Sequence, residues 1–214
     1  MTNKVRFSTA AGHNSAPVIQ HQPWVGPDFE RGIDGQTYLL FGYSHYGTLN
    51  AKVADDESFT VEVMKRWGRT GETPFFNAIA SYFGFEDPAA FYDRVAFANV
   101  LPFSVGGEED KFAYGEQAAL DAVPQRVREI MRDVDADRAI VFSAKGWAQF
   151  PKYDAGGEDN VLTVDGQPDR TFGPYERRSS GYCTAYGLRH TMIASWDMMH
   201  QTVRTIMAHQ PRWE

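Results

Sequence analysis

Short runs of apolar, β-prone residues alternate along the chain with longer segments whose apolar residues recur every three or four positions. Four of these runs predict buried strands, at residues 37–41, 95–100, 138–143 and 182–188. The segments between them predict helices on both faces of a sheet, because alternation of strand and helix favours parallel strands. We therefore expect an α/β protein, a three-layer α/β/α sandwich with a mostly parallel four-stranded central sheet.

Helix starts are predicted from capping residues and prolines. Thr73-Pro74 and Asp87-Pro88 each provide an N-cap followed by a first-turn proline, and Pro124 is expected to begin another helix. Ser195 is expected to cap a final helix with one apolar face. The residues on that face are Trp196, Met199, Val203, Ile206 and Met207.

The two ends of this pattern differ in regularity. Residues 1–36 lack any period and are predicted to form an N-terminal arm, attached to the body by Trp24 and Phe29. Residues 37–214 are predicted to form a single domain, and a chain of this length is large enough for a substantial core. Within it, the polar stretch 151–181 is expected to be a long loop with one hairpin, at 161–166.

Composition and charge exclude several protein classes. A hydrophobic content of 43% with 14% aromatic residues excludes a disordered or collagen-like chain. The single cysteine, Cys183, cannot form an internal disulfide, and no apolar run is long enough to span a membrane. We expect a cytoplasmic protein with no membrane partner.

The net charge of -7 argues against a protein that coats nucleic acid without discrimination. Only residues 167–214 carry more basic than acidic side chains, so a contact with DNA is expected through a C-terminal basic patch. The arginines of that patch are Arg177, Arg178, Arg189 and Arg204.

Short catalytic motifs are incomplete. The loop 42–47 differs from the esterase pattern G-x-S-x-G because Tyr46 occupies the position of its last glycine, which argues against a nucleophilic role for Ser44. Phosphate-binding glycine motifs do not occur, and the six histidines lack the spacing of a metal site. No metal or cofactor is predicted.

The carboxyl ends of the predicted strands offer the main physical indication of a site. Ligands of open α/β sheets bind beyond these ends, where loops and helix N-termini converge. In this chain the ends fall at residues 42–47, 99–104, 143–146 and 189–191, and three of the four carry distinctive polar or aromatic side chains.

The order of these segments resembles the uracil-DNA glycosylase superfamily over about residues 37–209. The resemblance rests on the loop 42–47, Phe75-Phe76-Asn77 on a helix, the runs 95–102 and 139–147, and Arg189-His190-Thr191. In that superfamily a glycine-led loop after the first strand holds the water-activating residue and shapes the pocket. An asparagine reads the base in some branches, and a late histidine stabilises the leaving base.

The resemblance implies a pocket with His190 and Ser44 in catalytic positions. Its substrate-binding residues are then Tyr43, His45, Tyr46, Asn99 and Phe103. The implied ligand is a damaged or unusual nucleobase, or a similar nucleotide-like molecule, whose N-glycosidic bond a divergent glycosylase hydrolyses. An imidazole donor suits the charge that develops on a leaving base, and an amide offers the donors and acceptors that pair with a pyrimidine edge.

A second interpretation is a non-catalytic nucleobase-binding or nucleotide-binding module that retains the fold. Members that hydrolyse uracil usually carry an aspartate or asparagine where this chain has Ser44. A serine hydroxyl cannot act as a carboxylate base at neutral pH. The acidic overall charge also favours this interpretation.

Overall fold

The computed structural model describes residues 20–45, 56–105, 117–155, 160–164, 170–191 and 194–213. These residues are organised around a seven-stranded mixed sheet with the order β1-β3-β2-β4-β7-β6-β5. The strands are β1 Trp24–Val25, β2 Tyr38–Gly42, β3 Ala96–Asn99, β4 Arg138–Val141, β5 Asn160–Leu162, β6 Arg170–Glu176 and β7 Tyr182–Gly187.

The centre of the sheet is parallel. Leu40 of β2 lies opposite Phe97 of β3 and Ile140 of β4, and Ile140 lies opposite Tyr186 of β7. These are the four strands predicted from the apolar runs, and their apolar residues are continuous because both faces of a parallel sheet are covered. The α/β class is confirmed, whereas the predicted number of strands is wrong. β1, β6 and β5 extend the sheet by antiparallel pairing.

The interval 151–181, predicted as a long loop, contains two of the added strands. β6 escaped prediction because Gly173 and Pro174 interrupt it, and both residue types are depleted in strands. The proline is tolerated because β5 pairs with β6 only as far as Phe172, which leaves the rest of β6 at the sheet edge. The first strand of the predicted hairpin is confirmed at Asn160–Leu162, which pairs antiparallel with β6, and the turn predicted at Asp165-Gly166 lies outside the described residues.

Helices pack on both faces of this sheet. They are α1 Phe59–Val63, which continues as a π-helical turn over Met64–Gly68, α2 Pro74–Tyr82, α3 Pro88–Tyr92, α4 Gln117–Val134, α5 Ala144–Ala148 and α6 Trp196–Ala208. Two predicted caps are confirmed: the side chain of Asp87 accepts a hydrogen bond from Ala89 N, and that of Ser195 accepts one from Met198 N.

Three details of the helix predictions are wrong. Thr73 precedes α2, but its side chain makes no capping hydrogen bond. Pro124 lies inside α4 and does not begin it. The ring of Pro124 is exposed, and the proline lacks one backbone N–H donor. The helix continues through it because Val123 and Val127 on either side are buried against the sheet. Trp196 is 50% exposed and does not belong to the buried face of α6. Its ring stacks on His200, with ring centroids 4.6 Å apart, and its Nε1 donates to Ser81 Oγ.

The core is divided by the sheet into two clusters. α1, α2, α3 and α6 cover one face, where they pack on side chains such as Leu40 and Ile140, and we call this the four-helix face. α4 covers the opposite face, which we call the α4 face. Trp24 is buried in the first cluster and Phe29 in the second, so the prediction that both attach the N-terminal segment is confirmed. None of the described helices is long and apolar enough to cross a membrane.

Candidate functional site

The carboxyl ends of the parallel strands meet at one edge of the sheet, which we call the carboxyl edge. Gly42 at the end of β2 lies in register with Asn99 at the end of β3. Hydrogen bonds continue beyond the strands, since Val100 N donates to Gly42 O at 3.0 Å and Leu188 N to Val141 O at 2.9 Å. The chain therefore brings the segments after β2, β3, β4 and β7 to the same edge, as the topology of the strands requires.

Asn99 is the most unusual residue at this edge. Its side chain is only 3% exposed, and its amide Nδ2 has no hydrogen-bond partner in the described part of the chain. The amide lies over Gly42, where a Cβ atom would overlap Asn99 Oδ1. Gly42 is therefore required for this approach. A buried donor without a partner is costly and rare in native proteins, and a bound ligand is one explanation for it.

An aromatic wall connects Asn99 to His190. Phe97 lies two residues before Asn99, and its Cζ is 3.2 Å from the position that a Cβ on Gly42 would take. Phe75 of α2 packs edge-on against Phe97 with centroids 6.3 Å apart, and it stacks on the His190 ring with centroids 5.4 Å apart. Two of the predicted site residues, Asn99 and His190, are thus linked through one set of rings.

His190 is held in its neutral form. Burial lowers the pKa of its imidazole below the ordinary value of 6.5. A neutral imidazole has one N–H donor, which can hydrogen-bond to an acceptor without bringing a full charge. This state suits an electrostatic role toward a carbonyl oxygen.

Ser44 and His45 follow Gly42 but differ in their surroundings. Ser44 is half-buried in the loop that begins at the carboxyl edge. The His45 ring packs edge-on against Phe59, and its Nε2 is hydrogen-bonded to Thr60 Oγ1 at 2.9 Å. Burial, with smaller contributions from the charges of His21 and Arg126, lowers the pKa of His45 to about 3. His45 therefore anchors the loop to α1 as a neutral ring.

The remaining predicted substrate-binding residues are not gathered around Asn99. Tyr43 and Phe103 are partly buried and pack against the α4 face, whereas Phe97, adjacent to Asn99, belongs to the four-helix face. The sheet separates them because alternate residues of a strand point to opposite faces. Tyr46 lies outside the described residues.

Two described carboxylates near this loop, those of Asp56 and Glu57, already accept hydrogen bonds from other groups. Asp56 is exposed and accepts a hydrogen bond from Ser58 N, which lowers its pKa. Glu57 accepts a hydrogen bond from Gln22 Nε2 at 3.0 Å. The described residues contain no group of three acidic, histidine or cysteine side chains arranged to hold a metal ion.

The arginines of the predicted C-terminal basic patch are spread over the molecule. Arg177 and Arg178 follow β6 and lie near the start of β7, whereas exposed Arg189 follows the end of β7 beside His190. Arg177 also forms ion pairs with Asp135 and Asp137. Of these three arginines, only Arg189 lies at the carboxyl edge.

Two open grooves on the described surface are lined by other residues. The larger, of about 480 Å³, is lined by Trp147, Phe150, Tyr153 and Tyr175 together with their neighbours in the chain. The smaller lies beside Arg177. Neither is lined by Asn99 or His190.

Phe75 is the site residue that sequence reasoning did not single out. On a helix rich in apolar residues it has the pattern of a core residue, although it belongs to the Phe75-Phe76-Asn77 segment of the resemblance. No family model matches the chain, and no curated protein matches it either. The geometry of the carboxyl edge is therefore the basis for proposing a function.

Proposed function

We propose that the carboxyl edge binds a nucleobase, and that the protein is a divergent relative of uracil-DNA glycosylases acting on a damaged or unusual base. The observation that carries this proposal is the buried amide of Asn99, which retains an unused Nδ2 donor beside an aromatic wall that ends in His190. The resemblance of the segment order supplies the class of ligand.

The amide of Asn99 suits recognition of a base edge. An asparagine side chain offers two N–H donors and one carbonyl acceptor, the same set of groups that pairs with a pyrimidine edge. Because Gly42 has no side chain, the amide packs closely against the end of β2, which restricts its orientation before a ligand arrives. Fixing the donor in advance lowers the entropic cost of binding.

Phe75 and His190 supply a ring-sized surface on the same side of the sheet. Stacking of a base on an aromatic ring contributes about 1–3 kcal/mol and depends little on base identity. The stacked arrangement of Phe75 on His190 leaves the imidazole position determined by packing. The wall therefore provides affinity, while the Asn99 amide provides selectivity.

If the protein is an enzyme, the proposed reaction is hydrolysis of the N-glycosidic bond between the sugar and the base. Water adds to the sugar C1′ atom as the bond from C1′ to the base nitrogen breaks, and the electron pair of that bond leaves with the base. The N–H of neutral His190 donates to a base oxygen as negative charge develops there, which favours the transition state over the bound substrate. The added water loses a proton to solvent as the sugar hydroxyl forms, and the departing base takes up a proton from solvent.

The test is a glycosylase and binding assay with single-stranded and double-stranded oligonucleotides that carry uracil, hypoxanthine, xanthine or an alkylated base. We expect abasic sites from at least one substrate, and their formation should fall at least about tenfold in His190→Ala and Asn99→Ala. Gly42→Ala should weaken base binding indirectly, because the added methyl group displaces the Asn99 amide and does not itself contact the base.

The matched control is His200→Ala, which removes an imidazole stacked on Trp196 on the outer surface of α6. This variant should retain binding and activity. Binding without abasic sites, lost in Asn99→Ala, would identify the non-catalytic nucleobase-binding module. Absence of binding to every oligonucleotide and to the free bases would refute the proposal.

A further inference from the structure

A second set of buried polar groups lies where the N-terminal segment meets α1 and α4. Arg126 of α4 is only 3% exposed, a degree of burial that arginine rarely reaches without an acidic partner. Its Nη1 donates to Gln20 Oε1 at 3.1 Å and its Nη2 to His21 O at 2.7 Å. Both acceptors are neutral, so they do not cancel the charge of the guanidinium.

No carboxylate of the described residues forms an ion pair with Arg126. Glu129, one turn further along α4, acts on it only at longer range and accepts a hydrogen bond from Gln125. Burial lowers the pKa of Arg126 to about 10, which still leaves the side chain protonated at neutral pH. Its Nε donor has no partner within the described ranges.

Other polar groups lie in the segments that adjoin Arg126. The His21 and His45 rings lie 5.6 Å apart, and the charge of Arg126 acts on His45. His21 N donates to Pro102 O, and Val105 N donates to His45 O, so the segment 102–105 joins both histidines. Ser104 lies within that segment, and its buried Oγ has no hydrogen-bond partner in the described chain.

A second acidic group that interacts with this region is Asp56. Its carboxylate accepts the Ser58 N–H at 2.8 Å at the start of α1 and is exposed, and His21 lowers its pKa slightly further. Asp56 therefore does not neutralise Arg126. The region combines a buried cation, an unused hydroxyl and two imidazoles.

We propose that Arg126 and Ser104, with His21 and His45 beside them, form a binding site for a phosphate group, free or carried by a nucleotide. Arginine has five N–H donors, of which Arg126 uses two, and the fork that contains Nε matches two oxygens of a phosphate. An unpaired buried charge is strongly unfavourable, and a bound anion compensates it. The proposal stands independently of the nucleobase site.

The test measures binding of inorganic phosphate to the full chain by titration calorimetry at pH 7 and constant ionic strength. We expect saturable binding of one phosphate. Arg126→Gln should weaken it about tenfold or more, because charge-assisted hydrogen bonds are lost, and Ser104→Ala should weaken it several-fold. Arg128→Gln is the control, since Arg128 lies on the same helix and pairs with Asp154 at the surface.

Two further ligands separate the sources of the phosphate. If a deoxynucleoside 5′-monophosphate binds more tightly than inorganic phosphate and Arg126→Gln removes the difference, the site takes a nucleotide. If the two bind equally, it takes the free ion. The deoxynucleoside without phosphate should bind equally to wild type and Arg126→Gln, whatever happens at Asn99.

The proposal is wrong if phosphate produces no saturable signal with the wild-type protein, or if Arg126→Gln binds phosphate as tightly as Arg128→Gln does. Should Arg126→Gln fail to fold, Ser104→Ala decides the matter. This variant removes one hydroxyl group and no charge, and an unchanged phosphate affinity in it would then overturn the site.

Discussion

The two edges of the central sheet differ in how their charged and polar side chains are paired. At the amino edge, where β2 and β4 begin, Asp137 Oδ2 accepts hydrogen bonds from both Thr37 N and Thr37 Oγ1, at 2.8 and 2.9 Å. Arg177 binds Asp137 and Asp135, and Ser179 Oγ donates to Asp135 at 3.1 Å. At the carboxyl edge, Asn99 Nδ2 and Thr191 Oγ1 are buried and have no partner among the described residues.

The charges follow the same division. Burial alone would raise the pKa of Asp135, but hydrogen bonds from Ser179 and the charge of Arg177 lower it. Opposite charges are therefore matched at the amino edge. Near the carboxyl edge the cation Arg126 is buried and His45 is kept neutral. The amino edge therefore pairs its charges, although Gln36 Oε1 just before β2 is buried there without a partner among the described residues. The carboxyl edge leaves the donors of Asn99 and Thr191 unpaired, as is expected of a ligand site.

We expect the largest change in stability when the pH is lowered, because His45 near the carboxyl edge is buried in its neutral form. The pKa of His45 is about 3 in the folded protein and near 6.5 when unfolded, so the unfolded state binds more protons between these values. Stability contributed by the neutral ring is therefore complete above pH 6.5 and is lost as the pH falls toward 3. We expect a loss of about 3 kcal/mol between pH 7 and 4.

Urea unfolding at several pH values measures this loss, with His45→Gln as the comparison. Glutamine cannot titrate, yet its amide can reach Thr60 in place of the ring. Burial also lowers the pKa values of His190 and His209, so a smaller dependence of the same sign should remain in the variant. Identical pH profiles for wild type and His45→Gln would show that His45 is not buried in its neutral form.

Substitution at the amino edge should cost somewhat less, because Asp137 is partly exposed. Asp137→Leu leaves the Thr37 N–H and hydroxyl without their acceptor and removes one partner of Arg177. We expect a loss of about 2 kcal/mol in the free energy of unfolding at pH 7, measured by urea denaturation. Asp137→Asn, which keeps an oxygen acceptor, should lose less than half of this. Equal stability of Asp137→Leu and wild type would remove the contrast between the edges.

Much of the sheet could be predicted because its central strands are buried on both faces. Apolar runs such as 37–41 and 138–143 leave few alternatives to a buried strand. The peripheral β6 could not be predicted, since an edge strand tolerates a glycine and a proline that a central strand excludes. Local pattern identifies the centre of this fold better than its border.

Only part of the candidate site could be predicted from the sequence. Asn99 and His190 follow the ends of two parallel strands, and topology alone brings such residues to one edge. The side to which a loop residue turns depends on packing, so the separation of Tyr43 and the inward position of His45 were not visible in the pattern. Arg126 was missed because a long cation in an amphipathic helix has the pattern of a surface residue.

The smallest expected change in stability is also the most informative one. Asn99→Leu replaces a buried amide that has an unused donor with an apolar side chain of similar shape. Removing an unsatisfied polar group from the interior is close to neutral or stabilising, so unfolding should change by less than about 1 kcal/mol. Base binding should be lost, because the leucine offers neither donor nor acceptor.

Asn99→Asp is the matched control for this substitution. It keeps the shape of asparagine but introduces a buried charge, and no cation contacts the Asn99 side chain among the described residues. It should therefore destabilise the protein by several kcal/mol at pH 7, about as much as an unpaired buried charge costs. If Asn99→Leu instead lost more than about 2 kcal/mol, the amide would be acting as a structural group like those of the amino edge. A stable Asn99→Leu variant without base binding would show that this amide is retained for a ligand at the expense of the fold.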